Sequence, residues 1–206
     1  LTLIEPYFVD GLLVAYGYTF VHSTDIGGRV PSSVSPTNTE LFQEGLLIPP
    51  TKIKRRGTWN KDIFRIYCAN VRTPDLNSHD LTAMFAALEM GGKRVAAMAA
   101  QHGRDAFVAS QADLMDYAAD KARAVLRRIP DGTYDFHDFI DDDAVSPVPV
   151  RFAVSMTVSD GKLHLDFTAS DPQTPSAFNV PTLGRRHAWL TVRILHYVTT
   201  HDPSTP

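Results

Sequence analysis

The sequence has a single cysteine among 206 residues, Cys68. One thiol cannot close an internal disulfide, and it gives none of the paired spacings of a zinc ribbon. It lies in the apolar run Ile66-Tyr67-Cys68-Ala69, where a thiol reads as buried and inert, so a reducing, cytoplasmic compartment is expected. Charge of one sign is also missing. Twenty Lys and Arg stand against 23 Asp and Glu, a net charge of −3. There is no overall basic field to draw in nucleic acid or an anionic membrane, and the cluster Lys52, Lys54, Arg55, Arg56 reads as a solvated strand edge. No apolar run approaches membrane-spanning length and no signal peptide is visible. The chain contains no Walker A loop, no Gly-x-Gly-x-x-Gly, no Gly-x-Ser-x-Gly and no Cys-x-x-Cys, which argues against nucleotide binding within it.

What is present is an ordinary globular composition, 44% hydrophobic and 21% charged, enough for a real core. Asp10-Gly11 is a two-residue hairpin signal. It follows the strand-like opening Leu1-Thr2-Leu3-Ile4, which reads as the middle of a strand in a segment of a longer chain. Beyond the turn, Leu12, Val14, Tyr16, Tyr18 and Phe20 alternate with Leu13, Ala15, Gly17 and Thr19. Both faces are largely apolar, which predicts a central strand covered on both sides. The segment from Arg29 to Asn38 is Pro- and Ser-rich and irregular. Glu40 to Ile48 fits strand or short helix equally, and Pro49-Pro50 ends it.

Asn60 caps a predicted helix reaching Ala69. After Pro74 a helical stripe runs through Leu81, Met84, Phe85 and Leu88 to Val95 and Met98. Gly91-Gly92 predicts a kink or a split in it, and Gly103 a stop. A second helix carries Phe107, Leu114, Ala118, Ala122, Val125 and Ile129, with Arg127 and Arg128 at the negative end of its dipole. The stretch 150–158 alternates as a strand, turns at Asp160-Gly161 and returns through Leu163, Leu165 and Phe167. A helix over 185–199 closes the chain. The order predicts an α+β fold in which β-hairpins flank a central helical segment. Its regions are 1–58 with the loop motifs, 59–130 helical, and 131–206 hairpin plus helix.

Four places offer chemistry. His22 and Asp25 stand three apart in a loop beside Gly27-Gly28, and imidazole with carboxylate suits Mn, Zn or Fe(II). Two glycines let backbone N–H groups approach an anionic substrate. The competing explanation is a turn in which Asp25 caps nearby N–H groups. Glu44, in Gln43-Glu44-Gly45-Leu46, offers a general base or a surface ion pair. His137, Asp138 and Asp141 to Asp143 have no EF-hand spacing and read as a solvated loop. Asp166 and Asn179 offer hydrogen bonds to a substrate amide, with turn or surface roles as the alternative.

Taken in series, these blocks resemble one family. His22-Ser23-Thr24-Asp25-Ile26-Gly27-Gly28 is similar to the His-x-x-Asp-[Ile/Val]-Gly-Gly signature of the hydantoinase B/oxoprolinase family. Thr39 to Pro50 resembles its Gln-Glu-Gly-Leu-x-Ile-Pro-Pro block, the most specific of the set. Asn70-Val71-Arg72-Thr73-Pro74 resembles Asn-x-Arg-x-Pro. The stretch from Ile129 to Asp143, then Asp166-Phe167-Thr168-Ala169-Ser170 and Phe178-Asn179-Val180-Pro181, follow in the family's order. Ser23, Ser32, Leu47 and Ala169 depart from the usual residues, which bears on substrate more than on fold.

The resemblance implies an internal segment of the catalytic subunit of a larger multi-domain, hetero-oligomeric enzyme. That enzyme would open cyclic amides such as hydantoins and 5-oxoproline, with the ATP bound by an A-type partner. It also implies a divalent metal, Mn or Zn, held by His22 and Asp25 and completed by an upstream Asn-Asp-Pro…Gly-Gly-Thr-His-x-x-Asp block that this chain lacks. The segment would then be inactive alone. Glu44 would be the catalytic base, and Gly27, Gly28, Asp166 and Asn179 would meet the cyclic amide or small carbonyl substrate. Related ketone carboxylases of the acetone and acetophenone type give a second reading, and a non-catalytic assembly segment a third.

Overall fold

The structure is a computed structural model, and it describes every residue except Arg186, together with all side chains but those of Arg186 and Ala188. The fold is α+β. Two compact units divide it, Leu1–Ala109 and Ser110–Pro206, with the boundary inside a helix.

In the first unit, β1 (Thr2–Val9) and β2 (Leu12–Phe20) form an antiparallel hairpin across Asp10-Gly11. Asp10 and Gly11 both take positive φ, 50° and 76°, as the tight turn requires. Val14 is the extra residue of a bulge between Tyr7 and Phe8. A two-residue pair follows, β3 (Lys54–Arg55) with β4 (Thr58–Trp59). Helix α1 (Lys61–Ala69) begins where the Asn60 side chain accepts from the Ile63 N–H, the predicted cap. Helix α2 (Pro74–His102) has Pro at its first turn and ends at Gly103, φ 87°. The core joins the three elements: Leu3 from β1, Tyr67 from α1, and Leu81, Met84 and Leu88 from α2 are buried together.

Two expectations fail here, each for a physical reason. The helix is neither split nor interrupted at Gly91-Gly92. The Tyr7 ring lies against both glycines, and its hydroxyl donates to the Leu88 carbonyl at 2.6 Å. The glycines make room for a ring; they do not break the helix. Strand β2 is not central either. It has one partner strand among the described residues, and Tyr16, Tyr18 and Phe20 on its outward face are each more than 60% exposed. An apolar face shows what a strand can be buried against and does not say where the cover comes from.

In the second unit, α3 (Arg104–Leu126), which begins in the first, leads to a three-stranded antiparallel sheet in the order β5 (Gly132–Ile140), β6 (Val150–Ser159), β7 (Lys162–Asp166). The β6–β7 turn is the predicted Asp160-Gly161, at φ 46° and 70°. A Cβ at Gly161 would come 2.8 Å from the Arg127 side chain and 3.0 Å from the Arg123 carbonyl, so the hairpin tip rests on the end of α3. Helix α4 (Ala188–His201) starts later than expected, with the His187 ring accepting from the Trp189 N–H. Arg186, part of the predicted helix, lies outside the described residues.

Strand β5 corrects the loop reading of the acidic stretch: His137 and Asp138 are ladder residues paired with Ala153 and Phe152. All nine residues of β5 are exposed, so it has no buried face to give it a period. Asp142 and Asp143 follow in a loop and accept from the backbone N–H groups of Ala144, Val145 and Ser146. No helix among the described residues is long and apolar enough to cross a membrane.

Candidate functional site

Three segments far apart in sequence cross in the first unit: 22–33, 41–46 and 70–77. Their centre is Asp25, 2% exposed. Its Oδ1 accepts from the Arg72 guanidinium. Its Oδ2 accepts from the Arg72 backbone N–H at 2.7 Å and the Gly27 N–H at 3.2 Å. The Arg72 fork also donates to the carbonyls of Gly28 and Val30. Asn77, fully buried on α2, donates from Nδ2 to the Asp25 carbonyl at 2.7 Å, while its Oδ1 accepts from the Thr24 hydroxyl at 2.9 Å. The Ser23 hydroxyl and the Tyr67 hydroxyl lie 2.9 Å apart, which ties the same turn to α1. Burial would raise the Asp25 carboxyl, but the N–H donors and charge of Arg72, with the Gly27 N–H, outweigh it and hold the group below the ordinary carboxylate value. Burial pushes the Tyr67 hydroxyl up, against the hydrogen bond with Ser23.

The two glycines serve this crossing. A Cβ at Gly27, φ 81°, would sit 1.9 Å from the Asn70 carbonyl oxygen. One at Gly28 would sit 2.6 Å from the Glu44 carbonyl oxygen. Their N–H groups are engaged within the chain, Gly27 with Asp25 and Gly28 with the Ser33 hydroxyl. The 3-10 turn Leu41–Glu44 is stitched on by Arg29 N–H to the Gln43 carbonyl, Leu46 N–H to the Ile26 carbonyl, and a bridge between Gly27 and Gly45. The ambiguity of 40–48 between strand and helix is thereby settled as a short helical turn.

His22, Gly27 and Glu44 are the exposed candidates of this region. The His22 ring stands edge-on to Phe20, 6.0 Å between centroids, at the end of the exposed aromatic row of β2. His22 therefore faces outward and Asp25 inward, and no hydrogen bond joins them among the described residues. The expected half-site for a metal does not fit this arrangement. Both Asp25 oxygens are occupied and its charge is met by Arg72, and no cluster of three or more His, Cys, Asp or Glu suited to a metal exists among the described residues.

Asp166 and Asn179 belong to the second unit. Asp166, at the exposed end of β7, accepts from the Thr168 hydroxyl and N–H, which lower its carboxyl below the ordinary value. Asn179 spans its own loop, accepting from the Thr174 N–H and donating to the carbonyls of Thr174 and Ser176. Both side chains thus hold local turns. The members that sequence reasoning missed are Arg72 and Asn77. Arg72 stands inside the Asn-x-Arg-x-Pro block, but its partner is 47 residues away. Asn77 sits on α2 with no motif around it.

A candidate B-type D-/L-hydantoinase subunit of Pseudomonas sp. (strain NS671) is 30% identical over 200 residues, which are 94% of this chain and 33% of that protein. The acetophenone carboxylase delta subunit of Aromatoleum aromaticum is 26% identical over 84% of this chain and 26% of its own length. The crystal structure of the ATP-dependent caprolactamase from Pseudomonas jessenii superposes with a TM-score of 0.77 at 29% identity, covering 85% of this chain and 30% of that one. The chain spans about a third or less of the proteins it matches. The family model described as Hydantoinase B/oxoprolinase matches residues 1–204, and the chain belongs to that family.

Proposed function

We propose that this segment forms part of the catalytic subunit of an ATP-dependent cyclic-amide hydrolase of the hydantoinase, N-methylhydantoinase or 5-oxoprolinase type. The observation that carries the reading is the meeting of three signature blocks at one place, 22–28, 43–46 and 70–74, built around the ion pair of buried Asp25 with the more exposed Arg72. Relatives named as a hydantoinase subunit and a caprolactamase support the hydrolase class. An A-type partner subunit would bind and use the ATP. The substrate is a strained or resonance-stabilised ring amide. Water adds to its carbonyl, the ring C–N bond breaks, and the leaving nitrogen takes up a proton. Glu44, an exposed residue whose backbone carbonyl lies against Gly28, is the group we assign to that proton transfer.

The test is to purify the polypeptide that carries this segment with its ATP-binding partner and supply ATP with hydantoin, N-methylhydantoin or 5-oxoproline. Ring-opened product with nucleotide hydrolysis is expected, reduced about a hundredfold or more by Glu44→Gln. The likeness to an acetophenone carboxylase subunit favours a second reading. Turnover that requires bicarbonate and a ketone would establish it. Full activity in both Glu44→Gln and His22→Ala would leave the segment an assembly role alone.

A further inference from the structure

We infer that Arg29 and Thr37 form a binding site for a small oxyanion, the carboxylate of an acidic ring amide or a phosphate group, on the loop that follows Gly28. The site stands on its own geometry; only the choice of a ring amide rests on the function proposed above.

Arg29 is the one charged residue between Ile26 and Thr39. Its main chain is fixed, the N–H donating to the Gln43 carbonyl at 2.8 Å. Its guanidinium is gripped by the loop that returns over it. Nε donates to Oδ1 of the buried Asn38 at 3.1 Å, and Nη2 donates to the hydroxyls of Ser35 and Thr37. All three acceptors are neutral. No carboxylate lies within ion-pair distance of Arg29 among the described residues, so a guanidinium that is always charged is held in place without a counter-charge.

The hydroxyl hydrogens then have only one arrangement. A hydroxyl offers one donor and two acceptor lone pairs. Ser35 Oγ accepts from Arg29 and, at 3.4 Å, from the Thr37 N–H, so its own hydrogen goes to Thr37 Oγ1, 3.1 Å away. Thr37 Oγ1 therefore accepts twice, from Arg29 and from Ser35, and its hydrogen has no acceptor among the described residues. Neither has Nη1 of Arg29. Arg29 and Thr37 are both exposed. The pair thus presents N–H and O–H donors and a fixed positive charge, with no lone pair left to accept. A cation is repelled there, and a water molecule neutralises nothing. An oxyanion accepts from these donors through charge-assisted hydrogen bonds and supplies the missing charge.

The experiment is calorimetric titration of the polypeptide that carries this segment, without nucleotide, with 5-oxoproline, its uncharged counterpart 2-pyrrolidinone, and inorganic phosphate. Tighter binding of 5-oxoproline than of 2-pyrrolidinone assigns the site to a substrate carboxylate, and binding of phosphate alone assigns it to a phosphoryl group. Whichever anion binds, Arg29→Gln should weaken it roughly a hundredfold. Thr37→Val keeps the guanidinium and the side-chain volume but removes the outward hydrogen, and should weaken it about tenfold. If Arg29→Gln does not fold, Arg29→Lys takes its place: it keeps the charge, loses the fork, and should bind about tenfold less tightly. Unchanged affinity in Thr37→Val or in Arg29→Lys would reduce the effect to diffuse charge and refute the site. So would binding of neither anion, or binding of 5-oxoproline no tighter than of 2-pyrrolidinone with none of phosphate. Because no turnover is needed, anion binding that depends on Arg29 and Thr37 in a polypeptide that opens no ring amide would count against the proposed function and leave this site standing.

Discussion

Replacing Gly17 by Ala tests the packing that joins the first hairpin to α2. An ideal Cβ at Gly17 would stand 2.1 Å from the Tyr7 hydroxyl and 2.8 Å from Leu88 Cδ2. The Tyr7 hydroxyl cannot yield freely, because it donates to the Leu88 carbonyl at 2.6 Å. Overpacking of this kind costs about 1–3 kcal/mol, against roughly 0.5–1 kcal/mol regained from lower chain entropy. The net loss is about 1–2 kcal/mol, which for a unit of this size lowers the melting temperature by roughly 5–10 °C. The helix glycines grade the effect. At Gly91 the new Cβ meets the Tyr7 hydroxyl at 2.8 Å, and at Gly92 it meets the ring edge at 3.1 Å. Against a helix-propensity gain of about 1 kcal/mol, Gly91→Ala should be near neutral and Gly92→Ala slightly stabilising. Tyr7→Phe alone should cost about 1 kcal/mol for its lost hydrogen bond, but less in the Gly17→Ala background, where the hydroxyl is the nearest obstacle. Trp59 packs at 4.3 Å from Phe85 and reports on this unit once the other tryptophan, Trp189, is made Phe. Urea unfolding followed by its fluorescence gives each value. Equal or higher stability for Gly17→Ala, or strict additivity with Tyr7→Phe, would refute the packing argument.

Two pH dependences follow from the buried and paired groups. Tyr67 is raised above its ordinary value of 10.0, chiefly by burial, so its contribution to stability is complete below about 10 and is lost as pH rises through the folded value; melting curves between about pH 8 and 11 should fall more steeply than those of Tyr67→Phe, and parallel curves would contradict this. Asp202 is lowered from 3.8 to about 2 by the hydrogen bond from Lys121 and then by Ser204, so it stabilises above the unfolded value and the benefit disappears as pH falls from 3.8 towards 2. Asp202→Asn should remove that acid step from the Trp189 signal, and an unchanged acid limb would show that the Lys121 pair contributes nothing.

The parts of the fold that the sequence showed are those written in local spacing. Asp10-Gly11, Asp160-Gly161, the Asn60 cap and the stop at Gly103 all depend on residues within a few positions of one another, and all are present. The misreadings come from long-range contacts. Gly91-Gly92 looks like a helix breaker until Tyr7, more than 80 residues away, is seen lying on it. Strand β5 has Tyr134 and Phe136 in alternation, but neither face is buried, and the acidic residues beside them gave the stretch the look of a loop. The His22–Asp25 spacing marks a loop that the structure ties into the three-segment crossing. It could not show which way each side chain points, because that is decided by Arg72 and Asn77 on distant elements.

The signature blocks themselves are mostly architecture. Gly27 is required by the Asn70 carbonyl, Gly28 by the Glu44 carbonyl, and Gly45, at φ 129°, by the Ile26 carbonyl only 2.3 Å from where its Cβ would be. Asp25 and Arg72 lock the crossing, and Asn77 holds it to α2. Residues that encode such a crossing are needed whatever reaction the site performs. In the function proposed above, chemistry would fall to the side chains that the crossing does not consume. In 22–28 and 43–46 the exposed side chains with acid–base or ligand capacity are His22 and Glu44, carried on two turns that the Gly27–Gly45 bridge holds side by side.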